Sequence, residues 1–122
     1  MKIEITDKWE SMLTMQYPVL IAAKEAISDV MGVSIEDIRS SCRMRPFVMA
    51  RAIFAHLCYQ RVAPDYMLAS YMNRQHTALT YYINTYKGWQ GFDKTFTNIC
   101  DRTEEVFNKK IKEYDIRIWQ EN

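Results

Sequence analysis

The sequence predicts an all-α protein, a compact multi-helix domain, from three observations. The 122 residues include only three Gly and three Pro, the residues that most often interrupt helices. Apolar residues recur every three or four positions, which places them on one face of a helix. Hydrophobic residues make up 48% of the chain and charged residues 25%, as is typical of a globular protein. A single domain over residues 1–122 is expected.

The periodic segments predict the first three helices in order. Residues 19–31 carry an apolar stripe and are followed by Gly32, a typical helix stop. Ser34 is a good N-cap for a short second helix with an acidic first turn. A basic connector then leads to Pro46, which suits the first turn of a third helix that runs to about Tyr59.

The next segments predict a helix-turn-helix. A short helix over 64–72 is followed by Asn73, a turn residue because Asn tolerates positive φ, and by a helix over 75–86. Two helices joined by such a turn are typical of DNA-binding proteins. Residues 87–91 contain two Gly and are expected to break the chain.

Asp93 is the predicted cap of a last helix. The apolar residues expected to face inward from this helix are Phe96, Ile99, Cys100, Val106, Phe107 and Ile111. The ends of the chain are ambiguous, because residues 3–5 and 116–118 alternate as strands do, and a helix or frayed chain fits them equally.

Charge is unevenly distributed, although the formal net charge is only +1. Residues 31–91 hold seven Arg and Lys against three Asp and Glu, a local net charge of +4. A basic middle between acidic ends favours a polyanionic partner, and Arg suits phosphate because of its planar fork of donors.

The helix over 75–86 has a polar face opposite its apolar stripe. This face carries Thr77, Thr80, Tyr81 and Asn84, with Gln75 and His76 at the N-terminal tip. Hydroxyl, amide and imidazole groups hydrogen-bond base edges in a major groove. The N-terminal end of the helix and the preceding Arg74 also favour a phosphate. Periodicity alone fits an ordinary solvated face as well.

Two motifs carry a resemblance to a known family. One is residues 74–79, Arg-Gln-His-Thr-Ala-Leu, which resemble the Arg-Asp-His-Thr-Thr-Val signature of the C-terminal DNA-binding domain of the bacterial replication initiator DnaA. The other is residues 45–53, which resemble that family's Arg-Pro-x-x-Met-Ala-x-x-aliphatic segment. The motifs occur in the family's order at a similar interval, and the resemblance covers about residues 22–88.

The resemblance implies a Trp-repressor and DnaA type of domain that binds double-stranded DNA in a sequence-specific way. Residues 22–88 would form the helix-turn-helix core, and residues 1–21 and 92–122 would be terminal helical additions. By the same resemblance, Arg45 enters the minor groove, and Arg74, His76 and Thr77 contact bases and backbone in the major groove. Together with the connector and the polar face, the expected DNA-binding residues are Arg43, Arg45, Arg74, Gln75, His76, Thr77, Thr80 and Tyr81.

Two positions depart from the family signature. Gln75 replaces Asp, and Ala78 replaces the second Thr. Asp accepts from cytosine N4 whereas Gln pairs best with adenine, so the base preference is expected to differ from the family's. The chain also holds no Gly-x-x-x-x-Gly-Lys-Ser/Thr run, so no nucleotide is expected to bind in that way.

The remaining sequence features indicate no further functional site. No apolar run approaches the ~20 residues of a membrane span and no leader is recognisable, so a cytoplasmic, nucleoid-associated protein is expected. His56 and Cys58, with Cys42 and Cys100, lack the paired spacing of zinc sites, and no flanking signature supports a catalytic thiol. We expect buried cysteines, no metal, no cofactor and no enzyme activity.

The competing functional hypothesis is a helical protein–protein interaction module. Such a module would keep the fold but no longer read DNA, since a fold does not fix a function. Its partner would be a second copy of the chain or a replication protein. For the preferred hypothesis, the expected role is control of replication initiation, through origin binding, or of transcription.

Overall fold

The computed structural model describes residues 18–59, 61–62 and 65–121, with side chains as far as residue 113. Over these residues the chain forms six helices and no strand, which confirms the all-α class. The helices are α1 (Pro18–Met31), α2 (Ile35–Arg39), α3 (Arg45–Cys58), α4 (Asp65–Tyr71), α5 (His76–Trp89) and α6 (Lys94–Glu121). No helix among the described residues combines the length and apolar character needed to cross a membrane.

The predicted boundaries around α2 are confirmed. Gly32 ends α1 with a φ of +70°, a backbone conformation that residues other than Gly and Asn rarely adopt. Ser34 caps α2 through a reciprocal pair of bonds: the Asp37 N–H donates to Ser34 Oγ at 3.1 Å, and the Ser34 N–H donates to Asp37 Oδ2 at 3.1 Å. This capping box fixes where α2 begins.

The turn between α4 and α5 also forms at the predicted residue. Asn73 has a φ of 58°, and its side-chain amide donates to the Arg39 carbonyl at 3.2 Å. The Arg74 N–H donates to the Ala69 carbonyl at 2.8 Å and closes the turn. The turn between α4 and α5 is thereby attached to the end of α2.

The centre of the molecule is α3, which is buried on almost every side. The predicted stripe of Met49, Ile53 and Leu57 is buried, and so are the side chains between its members, including Phe54. A helix surrounded by other helices has this character. It packs against α1, α2, α5 and α6, and α1 packs in turn along α6.

The end of α5 differs from the sequence prediction, whereas the start of α6 agrees with it. α5 continues through Gly88 to Trp89, because the Trp89 ring packs edge-on against Phe96 at 5.3 Å and holds the last turn in place. Asp93 does cap α6, accepting from the Phe96 N–H at 3.0 Å.

Of the predicted inward face of α6, Phe96, Cys100 and Phe107 are buried, whereas Ile99, Val106 and Ile111 are partly buried. The ambiguous residues 116–118 are helical in α6, and residues 3–5 lie outside the described residues.

Candidate nucleic-acid interface

The polar face of α5 is exposed, as its spacing predicts. Thr77, Thr80, Tyr81 and Asn84 are all exposed, and the Tyr81 side chain is 60% accessible. On the opposite face Leu79, Tyr82 and Tyr86 are buried against the rest of the protein. The helix therefore presents a row of hydroxyl and amide groups to an external ligand.

The N-terminal tip of α5 has two distinct residues. Gln75 is the N-cap residue, is exposed, and makes no capping hydrogen bond with its side chain. His76 is also exposed, with its Nε2 3.8 Å from the Asp65 carboxylate at the start of α4. The Gln75 amide therefore extends the polar face, whereas the His76 ring is oriented toward α4.

A groove runs beside α5, between this helix and the connector that joins α2 to α3. We call it the arginine groove; its volume is about 670 Å³. Its lining residues are Arg39, Ser41, Arg43, Val48, Arg51, Asn73, Arg74, Tyr81 and Tyr82. Four of these are Arg and none is Asp or Glu, so the groove is suited to an anion.

Arg51 supports this groove from within the protein. Its side chain is only 1% accessible, and its guanidinium donates to the carbonyls of Asp37, Ile38, Ser40 and Cys42 at 2.6–3.1 Å. Burial lowers the pKa of Arg51 from its ordinary value. The charge is stabilised by these carbonyls, which hold the connector against α3.

Arg74 has a similar structural role at the edge of the groove. Its guanidinium donates to the carbonyls of Arg39 and Asn73 at 3.3 and 3.1 Å, and to that of Ser40. The Ser40 carbonyl thus accepts from both Arg51 and Arg74. The resemblance implies a DNA contact for Arg74; in this structure its donors point to backbone carbonyls, and Arg43 is the exposed guanidine of the groove.

Arg45 lies farther along the same flank of α5. Its guanidinium forms an ion pair with Asp93 and lies 4.6 Å from the centre of the Trp89 ring, whereas Arg74 contacts the Tyr82 hydroxyl at 3.5 Å. Tyr82 and Trp89 are two helical turns apart, about 10 Å along α5. The structure therefore places both arginines on one flank of α5 without bringing them into contact.

The ion pair at Arg45 is exposed to solvent. The two side chains are 58% and 30% accessible, so the pair is of the weak, surface kind. The Phe96 N–H, which Asp93 caps, and the Arg45 guanidinium both hold the pKa of Asp93 below its usual value. Arg45 therefore lies at the surface in a weak ion pair.

Sequence reasoning missed Arg39, Arg51 and Tyr82 as parts of the site. A signal did exist for Arg51, which lies three residues after Val48 and four before Ala55, within an otherwise apolar helix face. An Arg on such a face is buried only when it finds acceptors. Arg39 belongs to the basic excess of residues 31–91 but to neither motif.

None of the three cysteines lines the arginine groove. Cys58 and Cys100 are buried, as predicted, and Cys42 is partly buried. Burial raises the pKa of Cys58 strongly and that of Cys100 to about 12. Within the described ranges, no three His, Cys, Asp or Glu side chains are placed to hold a metal ion.

A comparison of the chain with protein-family models, with curated proteins and with solved structures finds no match. The DnaA-type interpretation therefore depends on the two sequence motifs alone.

Proposed function

We propose that this protein binds double-stranded DNA, with α5 in the major groove and the arginine groove against the phosphates beside it. One observation carries the proposal: the exposed polar face of α5 adjoins a groove lined by four arginines and no acidic residue. Control of replication initiation or of transcription is the biological role that this activity would serve.

The geometry of the site suits the two tasks of a DNA reader. Phosphate contacts position a protein on the duplex, and base contacts specify the sequence. Arg39 and Arg43 line the groove beside α5, whereas Gln75, Thr77 and Thr80 project from α5 itself. Arg51 and Arg74 fix the connector relative to α5, so the two sets of contacts are held in register.

A second candidate function is protein–protein interaction. Phe92, in the turn before α6, is 87% accessible, and Met44, next to Arg45, is 64% accessible. Each of these residues is the chain neighbour of one member of the Arg45–Asp93 pair, so two exposed apolar side chains flank the pair. A helical interaction module would use it against a second copy or a replication protein.

The first prediction is a steep salt dependence of duplex binding. In fluorescence anisotropy with a labelled random-sequence duplex, log K should fall linearly with log salt, with a slope of about −0.9 for each neutralised phosphate. Contacts from Arg39, Arg43 and Arg45 should contribute about −3 to this slope.

The control for this titration is a pair of Arg→Gln variants. Arg43→Gln should make the slope shallower by about 1, whereas Arg102→Gln removes an exposed arginine of α6 outside the arginine groove and should leave the slope unchanged. Absence of binding at low salt to duplexes from a fully randomised pool would refute the proposed function. A salt-tolerant self-association would favour the interaction module instead.

The second prediction concerns the ion pair between Arg45 and Asp93. Asp93→Asn keeps an N-cap residue for α6 but removes the carboxylate charge that competes with phosphate. Since an exposed ion pair is weak, duplex affinity should rise by no more than about fivefold, with a steeper salt slope. Unchanged affinity and slope in the same anisotropy assay would show that Arg45 makes no phosphate contact.

A further inference from the structure

A second cationic groove borders α5, and sequence reasoning did not find it. It lies between the C-terminal end of α3, α5 and α6, and its volume is about 460 Å³. Among its lining residues are His56, Arg61, Ile83, Lys87 and Glu104. We call it the Lys87 groove.

The two grooves lie on opposite flanks of α5. α5 contributes Tyr81 and Tyr82 to the arginine groove, and Ile83 and Lys87 to the Lys87 groove. At ~100° per residue, the mean directions of these two pairs are about 170° apart around the helix axis. The exposed polar face lies between the two flanks.

This spacing matches the dimensions of duplex DNA. An α-helix with its side chains is about 10–12 Å across, and the major groove that would receive it is about 12 Å wide. The two edges of that groove are the phosphate rows of the two strands. A helix seated in it therefore has one strand along each flank.

The charged groups of the Lys87 groove are arranged for a phosphate. The Arg61 guanidinium donates to the Leu57 carbonyl at 2.7 Å and lies 5.2 Å from the centre of the Phe107 ring, so it is already ordered. Ordering before binding lowers the entropy lost on contact. Lys87 lies on the exposed side of α5, in its last turn.

Two further titratable groups, the His56 imidazole and the Glu104 carboxylate, line this groove. His56 stacks face to face on Tyr86, with ring centres 3.7 Å apart, and burial lowers the pKa of His56 despite the nearby Glu104 carboxylate. The lowered pKa disfavours the charged form of the imidazole. Glu104 then opposes the two cations and leaves a net charge of +1 among the charged residues of the groove.

We propose that the Lys87 groove binds the phosphates of the second DNA strand, through Lys87 and Arg61, while the arginine groove binds the first. This inference depends on the proposed function, because it requires α5 to enter the major groove. It adds a second strand contact, with Glu104 as a residue that weakens it.

Two variants that remove charges of opposite sign from the Lys87 groove test the proposal in the anisotropy assay with the random-sequence duplex. Lys87→Gln should weaken binding, with a loss about threefold greater at 50 mM than at 200 mM salt, which corresponds to one phosphate contact. Glu104→Gln should strengthen binding. Both residues are exposed, so the fold should tolerate both changes, and thermal unfolding would check this.

The matched controls come from α6. Lys109 and Glu105 form an exposed ion pair 3.9 Å apart, and neither residue lines either groove. Lys109→Gln and Glu105→Gln make the same changes of charge and should leave the affinity within about twofold of wild type. Equal effects of Lys87→Gln and Lys109→Gln, while Arg43→Gln still weakens binding, would overturn the second contact but not the proposed function. Failure of the wild type to bind duplex would refute both.

Chemically neutralised strands distinguish which strand each groove contacts. The test uses duplexes of one sequence, selected from a random pool, with uncharged methylphosphonates on one strand at a time. The loss of affinity caused by Lys87→Gln should disappear when one of the two strands is neutral. The effect of Arg43→Gln should disappear only when the other strand is neutral. Loss of both effects on the same strand would overturn the assignment of the Lys87 groove to the second strand.

Discussion

Replacing Arg51 by Met is expected to lower the free energy of unfolding by about 3 kcal/mol. The variant fills most of the buried volume but leaves the carbonyls of Asp37, Ile38, Ser40 and Cys42 without this donor. An unsatisfied buried polar group costs about 1–3 kcal/mol, and water can reach the partly buried members of this set. Urea unfolding followed by circular dichroism would measure the change.

The matched control for this stability test is Arg43→Met. It removes the same charge from the same groove, but Arg43 is exposed, so its effect should stay within about 0.5 kcal/mol. Equal stabilities of the two variants would show that the connector does not depend on Arg51. Arg51→Lys should recover little, because an ammonium cannot span four carbonyls as a planar guanidinium does.

The local parts of the fold were predictable because each depends on a few adjacent residues. Ser34 with Asp37 encodes a capping box, Gly32 and Asn73 encode positive φ, and the spacing within residues 77–84 encodes the exposed face of α5. Such signals act over one helical turn and need no knowledge of the tertiary structure.

The parts that sequence reasoning missed depend on groups distant in the chain. Arg45 pairs with Asp93, 48 residues away, and Arg74 donates to a carbonyl of Ser40, 34 residues away. Backbone carbonyls carry no residue-specific signal, so nothing in the sequence shows that Arg74 would use them. The same applies to the end of α5, where packing between Trp89 and Phe96 overrides the tendency of Gly88 to interrupt a helix.

Sequence discrimination is expected to depend on Gln75 and Thr77. Each side chain is exposed on α5, so truncation to Ala removes possible base contacts without disturbing the core. On the selected site each variant should lose about 1–3 kcal/mol of discrimination at one or two base pairs. Arg43→Gln, which would remove the proposed phosphate contact, should instead weaken binding about equally on all sequences. The affinities of all three variants would be measured on the selected site and on its single-base substitutions. Equal losses of affinity on every sequence would contradict the assignment of Gln75 and Thr77 as base-contacting residues.

The most specific form of this prediction replaces Gln75 by another residue that can hydrogen-bond a base. Gln75→Asp should shift the preferred base at one position from adenine toward cytosine, because Gln bonds adenine N6 and N7 whereas Asp accepts from cytosine N4. Asp is also a better N-cap than Gln, so the start of α5 should be preserved. The added negative charge will weaken binding to every duplex, so the measured quantity is the ratio of affinities for cytosine and adenine. No change in that ratio at any position would show that Gln75 does not touch a base.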